Sequence, residues 1–250
     1  MHRPFDVSVI GGMGPLSTAE LFRRVVLYTD AKCDSEHVSL CVFNDPSTPD
    51  RSGFILSKDT KERTPSPLKT IKRQIRMAKR LRCRYFCIAC NTAHYFYKKY
   101  EKVRAVRFIN AVRDTALYAH SVYPDKAPCI LATEGTVRAD IYGKNAPRDV
   151  KIRYPSADTR RAITELIKDV KSGKSIDKRN PEALIYRLRK EFNADKTVFI
   201  LGCTELSLVS EFFGDLTVVD STDVLAGCII SACKKEFNTE KFPLKTDFFE

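Results

Sequence analysis

The chain has 250 residues, of which 43% are apolar, with a net charge of +12 and nine cysteines. This length suits one large core or two domains of roughly 100–150 residues, and no apolar run approaches the ~18–20 residues that cross a bilayer. The first apolar run is too short for a signal peptide, and an odd number of scattered cysteines fits reduced thiols better than a disulfide framework. We therefore expect a cytoplasmic protein with no membrane partner.

Basic residues are concentrated between Lys69 and Arg84 and again between Arg187 and Lys190. Such runs can mark a nucleic-acid partner. However, apolar residues recur at helical spacing within the first run, and no aromatic residue stands among the charges as a stacking platform. The pattern favours an amphipathic helix with a solvated basic face and no nucleic-acid partner. The same positive field would attract a small anionic substrate.

The first half of the chain alternates predicted strands with turns and helices. Val7–Ile10 predicts a strand, and the glycine turn Gly11–Pro15 leads into a helix, Leu16–Tyr28, whose first amide groups attract an anion. The further elements expected in this half are a strand Val38–Phe43, a long loop through Gly53 that carries Arg51, a polar loop Asp59–Pro67, the basic helix, a strand that ends at Cys90, a helix Asn91–Lys99, a strand Val106–Ile109 and a helix Ala111–His120.

The second half repeats this order. Its expected elements are a strand Pro128–Thr133, a glycine turn Glu134–Thr136, a helix Val137–Tyr142, an extended segment Ile152–Tyr154, helices Thr159–Lys171 and Pro181–Asn193, a strand from Thr197, a strand Leu216–Val219 and a last helix through Lys234. The repetition predicts two similar Rossmann-like three-layer α/β domains with mostly parallel sheets, related by a pseudo-twofold axis. We expect residues 1–111 plus 212–250 to form the first domain and residues 112–211 the second.

A cysteine ends a buried strand in each half. Cys90 is followed by Asn91 and Thr92, and Cys203 by Thr204 and Glu205. Ligands of open α/β sheets bind at the carboxyl ends of the strands, so the two thiols could face one cleft between the domains. A thiol at a helix start is favoured as a thiolate, and one thiolate opposite one thiol suits proton removal and return on opposite faces of a carbon.

These motifs occur in the order typical of one family. The chain resembles the cofactor-independent aspartate/glutamate racemase superfamily, and within it most closely the aspartate racemases. The residues that carry the resemblance are Gly11–Pro15, Asp45-Pro46, Pro49–Arg51, Cys90–His94, Leu131–Thr133, Gly135-Thr136, Lys171 with Gly173, Leu201–Glu205 and Asp220-Ser221. The resemblance implies an enzyme, usually a homodimer, that racemises an amino acid without pyridoxal phosphate or any other cofactor and without a metal.

The resemblance also implies roles for individual residues. Cys90 and Cys203 correspond to the catalytic pair that flanks the substrate Cα, and Arg51 and Lys171 to the cations that hold an acidic side chain, which favours aspartate. The remaining expected substrate-binding residues are Met13, Gly14, Asn91, Thr92, Thr133, Thr136, Thr204 and Glu205. Among these, Asn91, Thr92 and Thr204 are expected to bind the α-carboxylate.

Other interpretations remain open at this point. A broad-specificity amino-acid racemase, glutamate included, would use the same two thiols. Cys87 and Cys90 form a C-x-x-C pair with His94 nearby, which could indicate a metal or redox site, although residues three apart on a strand point to opposite faces. His94 could orient a thiol or cap a helix, and Glu205 could be catalytic or structural.

Overall fold

The structure is a computed structural model that describes residues 5–57, 64–176, 179–214 and 216–249. Within these residues the chain forms two sheets, one of four strands in the order β2-β1-β3-β4 and one of three in the order β5-β6-β7. The strands are β1 Val7–Gly11, β2 Leu40–Asn44, β3 Tyr85–Ile88, β4 Arg107–Phe108, β5 Ala127–Leu131, β6 Thr197–Leu201 and β7 Val218–Asp220. Neighbouring strands in both sheets run parallel. The predicted α/β fold with mostly parallel sheets is confirmed.

Helices connect the strands, as parallel pairing requires. The α-helices of the described ranges are α1 Pro15–Tyr28, α2 Arg51–Leu56, α3 Leu68–Arg80, α4 Tyr97–Tyr100, α5 Ala111–Val122, α6 Glu134–Arg138, α7 Ile141–Asn145, α8 Ala157–Lys171, α9 Arg179–Glu191 and α10 Ser221–Ala232. In the part of the chain that is described, no helix combines the length and hydrophobicity needed to span a bilayer. All nine cysteines lie in the described ranges and are free thiols.

Several element boundaries differ from the expectation for identifiable reasons. The basic helix ends at Arg80, because Arg82 adopts a left-handed conformation with φ of 56° and the Cys83 amide bonds back to the Ala78 carbonyl at 3.1 Å. The long loop after β2 is interrupted by α2, which Asp50 caps by accepting a hydrogen bond from the Gly53 amide at 2.7 Å.

The glycine turn after β5 is also helical. It forms α6, whose close approach to α2 depends on Gly135, since a Cβ there would lie 2.7 Å from the Ser52 Cα. The segment after Cys90 is a 3₁₀ turn, Thr92–Phe96, before α4 begins. Of the predicted polar loop Asp59–Pro67, residues 59–63 lie outside the described residues.

The expected domain division stays a prediction. Strand pairing nevertheless shows which sheet contains the strand in its last segment, 212–250. β7 pairs with β6, so Val218–Asp220 belong to the second sheet although they lie within the range 212–250 assigned to the first domain. The helix that follows, α10, packs against both α1 and α5. The end of the chain therefore contacts both halves.

A buried cation joins α1 to the segments that follow β6 and β7. The Arg24 Nη1 group donates to the carboxylates of Asp220 and Asp223, at 2.6 Å each, and Nη2 donates to the Ser207 carbonyl at 2.9 Å. Its Nε group donates to Glu20 at 2.7 Å. Burial alone would lower the pKa of Arg24, but the two aspartates raise it above its usual value. We call Arg24 and its four partners, Glu20, Ser207, Asp220 and Asp223, the Arg24 cluster. The Nε, Nη1 and Nη2 groups of Arg24 all donate hydrogen bonds within it.

We predict that Arg24→Met strongly destabilises the protein, because it leaves Asp220 and Asp223 buried without their cation. Breaking a buried ion pair from one side costs about 3–5 kcal/mol of unfolding free energy. Urea denaturation followed by circular dichroism would measure it. The matched control is Arg23→Met, whose side chain is 58% exposed and pairs only within α1, and which should change the unfolding free energy by no more than about 0.5 kcal/mol. Equal effects of the two substitutions would contradict the prediction.

Candidate active site

Cys90 lies two residues beyond β3, at the carboxyl edge of the first sheet. Its thiol is almost wholly buried and packs with Ile10, Met13 and Ile88. Cys87, on the strand itself, is buried in a different cluster on the other side of the sheet. The expectation that these two thiols point to opposite faces is confirmed. Within the described residues, no three His, Cys, Asp or Glu side chains are grouped so as to hold a metal ion.

His94 contacts the backbone of Cys90 rather than the cleft. Its Nδ1–H group donates to the Cys90 carbonyl at 3.0 Å, and its ring is fully buried against Phe108, with ring centroids 5.5 Å apart. Burial lowers the pKa of His94 to about 4. The imidazole is therefore neutral at physiological pH and holds the peptide of Cys90 in place.

Asn91 is buried in a hydrogen-bond chain between the two halves. Its Oδ1 accepts from the Tyr142 hydroxyl at 2.9 Å, and its Nδ2 donates to Ser221 Oγ at 3.0 Å. Ser221 in turn donates to the Leu201 carbonyl, at 2.7 Å, at the end of β6. The Asn91 amide thus has protein partners on both its oxygen and its nitrogen. Tyr142 and Ser221 were not among the expected site residues, and no local motif marks Tyr142.

Cys203 lies two residues beyond β6 and donates its thiol hydrogen to Glu205 Oε2, with Sγ and Oε2 2.9 Å apart. The other Glu205 oxygen, Oε1, lies 3.7 Å from Lys171 Nζ. Burial and the adjacent Glu205 carboxylate raise the pKa of Cys203 well above its usual value. Cys203 is therefore a neutral thiol here, and Glu205 is its hydrogen-bond acceptor.

Lys171 is the last residue of α8, and the helix terminus holds it beside this thiol. Gly173 adopts a left-handed φ of 69°, and the Lys174 amide bonds back to the Asp169 carbonyl at 3.3 Å. Burial alone would lower the pKa of Lys171, but the Glu205 carboxylate raises it above its usual value. The ammonium group therefore remains charged beside Glu205.

Arg51, the first residue of α2, is held by neutral carbonyl groups. Nη2 donates to the Met13 carbonyl at 2.7 Å, and Nη1 to the carbonyls of Thr48 and Pro49 at 3.2 and 3.3 Å. Its buried Nε has no hydrogen-bond partner among the described residues. The guanidinium is therefore oriented by neutral groups, and within the described residues it forms no ion pair.

A cluster of hydroxyl groups joins the two halves beside Cys90. The Oγ1 atoms of Thr92, Thr133 and Thr136 lie 2.9–3.1 Å from one another. Ser52 donates to Thr133 at 3.1 Å, and Thr133 also caps α6. The three threonines were expected from the family motifs, whereas Ser52 was missed because its segment was expected to be a loop.

A cavity of about 230 Å³, which we call the substrate cavity, brings five expected residues together. They are Met13, Gly14, Arg51, Lys171 and Glu205. Its volume is below the roughly 300–1,000 Å³ of drug-sized sites and suits an amino acid. A separate void of about 10 Å³ is lined by Cys90, Asn91 and Thr204. Thr204, which directly follows Cys203, therefore lines the same void as Cys90.

Comparisons with known proteins identify the family and agree with the fold. The family model for Asp/Glu/hydantoin racemases matches residues 10–229. A broad-specificity amino-acid racemase of Bacillus subtilis is 23% identical over 230 residues, covering 90% of this chain and 96% of that protein. The aspartate racemase structure from Picrophilus torridus has a TM-score of 0.79 at 29% identity, covering 95% of this chain and 97% of that one. An aspartate racemase homologue from Pyrococcus horikoshii has a TM-score of 0.70 at 19% identity, covering 92% and 99%.

The fold and these similarities define a protein of the amino-acid racemase class. The chain belongs to the Asp/Glu/hydantoin racemase family, and the resemblance inferred from its motifs is confirmed.

We predict that Glu205→Gln lowers the pKa of Cys203, because the thiolate would no longer face a negative charge. The shift should be on the order of one unit. Thiolate ultraviolet absorbance against pH measures it, taken as the difference between each protein and its Cys203→Ser derivative. Glu165→Gln, at an exposed position of α8, is the matched control and should leave the titration unchanged. An unshifted titration in the Glu205→Gln protein would show that Glu205 does not control this thiol.

Proposed function

We propose that this protein interconverts L- and D-aspartate without pyridoxal phosphate, with Cys90 and Cys203 as an acid–base pair at Cα. The observation that best supports the proposal is the hydrogen bond from Cys203 to Glu205, which pairs with Lys171 and lines the substrate cavity together with Lys171 and Arg51. Cys90 follows β3, an inner strand of the first sheet, and Cys203 follows β6, the middle strand of the second. In this proposal each half of the protein supplies one thiol that donates or accepts the proton.

The proposed proton transfers balance as follows. In one direction the Cys90 thiolate removes the Cα proton while the Cys203 thiol delivers its own proton to the opposite face. This leaves Cys90 as the thiol and Cys203 as the thiolate. In the other direction the roles are exchanged, so the pair must hold one proton in total.

Glu205 has a part in this exchange that differs from the substrate-binding role expected from the family motif. We infer that its carboxylate accepts the Cys203 hydrogen bond when this residue is the acid. When Cys203 acts as the base, its proton has already gone to the substrate in the opposite transfer, and its thiolate lies 2.9 Å from the same carboxylate. Lys171 offsets the carboxylate charge in the state with two anions side by side.

The substrate side chain is proposed to bind Arg51 and Lys171. Both cations line the substrate cavity, and an arginine fork binds a carboxylate at two points. The α-carboxylate is proposed to lie near Thr92 and Thr204, where hydroxyl and backbone N–H groups could bind the negative charge that develops as Cα loses its proton.

A broad-specificity racemase is the alternative that a specific observation favours. Glu205 Oε1 has no hydrogen-bond partner among the described residues. It could accept a hydrogen bond from the ammonium group of a basic substrate side chain. The Bacillus subtilis relative carries a broad-specificity name. In that case Lys171 would neutralise Glu205 rather than bind substrate.

We predict that the protein exchanges the Cα proton of both aspartate enantiomers in deuterated buffer containing reductant and no pyridoxal phosphate. Proton NMR would follow loss of the signal, and chiral chromatography the opposite enantiomer. Cys90→Ser and Cys203→Ser should each reduce the rate at least ~100-fold, as expected for loss of an acid–base group. Cys33→Ser, at an exposed position, is the matched thiol control and should retain full activity.

Two results would change the proposal. Exchange with lysine or arginine but not with aspartate would favour the broad-specificity alternative. If a protein shown to be folded by circular dichroism exchanges the Cα proton of no amino acid, the racemase proposal is wrong.

We also propose that the protein is a homodimer. One face of α1 exposes large apolar side chains, namely Leu16 at 60%, Phe22 at 46%, Val26 at 37% and Leu27 at 39%. An apolar stripe on a surface helix is costly in water and typical of an interface. A twofold axis would let this face bury its own copy.

Phe22→Glu is predicted to convert the dimer to a monomer, because it places a charge in the centre of the proposed interface. Light scattering coupled to gel filtration measures the mass. Tyr186→Glu, which is 60% exposed on α9, is the control and should leave the mass unchanged. A wild-type monomer would contradict the proposal directly.

A further inference from the structure

A basic groove lies between α3 and the segment 99–104, and it shares no residue with the substrate cavity. Its volume is about 470 Å³. Helix α3 contributes Lys69, Lys72, Arg76 and Lys79. The facing segment contributes Lys99, Lys102 and Arg104. We call this site the basic groove.

The groove is lined by seven cations and no carboxylate. Within the described residues, none of the seven forms an ion pair. The spacing along α3 places like charges three and four residues apart, where they repel one another. A solvated basic face explains one such helix face, but it does not explain why a second segment brings three more cations to the same concavity.

The floor of the groove is apolar and rigid. Ile75, Tyr100 and Val103 line it, and Tyr100 is almost fully buried. The Tyr100 hydroxyl donates to the Ala93 carbonyl at 3.0 Å, and its ring packs edge-on against Phe108 with centroids 5.3 Å apart. The site is therefore preformed, with charge at its rim and hydrocarbon at its base.

We propose that the basic groove binds a small oligophosphate anion, and that a nucleoside triphosphate fits it best. Phosphate oxygens would accept hydrogen bonds from the lysine ammonium groups and from the forked guanidinium groups of Arg76 and Arg104. The apolar floor suits a base or sugar placed over Ile75 and Val103. The buried ring of Tyr100 offers no exposed face for stacking, so the groove lacks the aromatic platforms typical of single-strand nucleic-acid sites.

Isothermal titration calorimetry tests this with ATP and with inorganic tripolyphosphate, each at about 150 mM NaCl. We expect saturable binding of one ATP per chain, with tripolyphosphate weaker because it does not cover the floor. The double variant Lys72→Gln with Arg76→Gln should weaken ATP binding at least about tenfold, from two lost charge-assisted contacts. Lys79→Gln with Lys102→Gln, at the same rim, should do the same.

The matched control removes the same charge elsewhere. Arg187→Gln with Lys190→Gln changes two exposed positions of α9 and should leave the ATP affinity within about twofold. Equal weakening by the control and groove variants would show that net charge alone attracts the anion and would overturn the site. So would absence of binding at about 1 mM ATP. Tighter, groove-dependent binding of a short single-stranded DNA than of ATP would overturn the small-ligand class. Because binding is measured without turnover, these outcomes are independent of the racemase proposal.

Discussion

The buried ion pairs of the Arg24 cluster determine where the two halves of the chain meet. A guanidinium that donates to Asp220, to Asp223 and to a backbone carbonyl tolerates little displacement, because each lost partner leaves a buried charge. Ser221 follows directly on Asp220, and its hydroxyl bonds to both the Asn91 amide and the Leu201 carbonyl. Asn91 directly follows Cys90, and Leu201 is the last residue of β6, two residues before Cys203. The relative position of the two cysteine segments therefore depends on a cation that has no direct part in the proposed chemistry.

The two thiols lie in unequal surroundings. Cys90 is held through its backbone carbonyl by the neutral His94 ring. Cys203 donates directly to Glu205, and this carboxylate and burial both favour the protonated thiol. An acid–base pair that must share one proton benefits from such an asymmetry, because it biases which residue carries the proton before substrate binds. The Lys171 ammonium group opposes that bias, because its positive charge favours the Cys203 thiolate.

The sequence predicted the strands, the parallel sheets and the two cysteines at their edges, since buried runs that end in glycine or cysteine are local signals. It did not reveal the helix that begins at Arg51, because Asp50 caps it within a proline-rich stretch that resembles a loop. The roles of Asn91 and His94 also differ from the simplest expectation. Asn91 bonds to Tyr142 and Ser221, which are distant in sequence, and His94 bonds to the backbone carbonyl of Cys90. Contacts of this kind leave no periodic pattern in the sequence. Arg24 gave no signal for the same reason, as its partners lie 196 and 199 residues away.

The distribution of charge in the substrate cavity bears on which amino acid it would accept. Arg51 and Lys171 are cationic and Glu205 is anionic, so the cavity carries a net positive charge while Glu205 occupies one side of Lys171. An acidic side chain would meet Arg51 without an intervening carboxylate, since the groups that orient this guanidinium are neutral carbonyls. A basic side chain bound to Glu205 would lie in the same small cavity as this guanidinium, where repulsion between the two cations is weakly screened. The position of Arg51, rather than the presence of two cations, is therefore the feature that favours an acidic substrate.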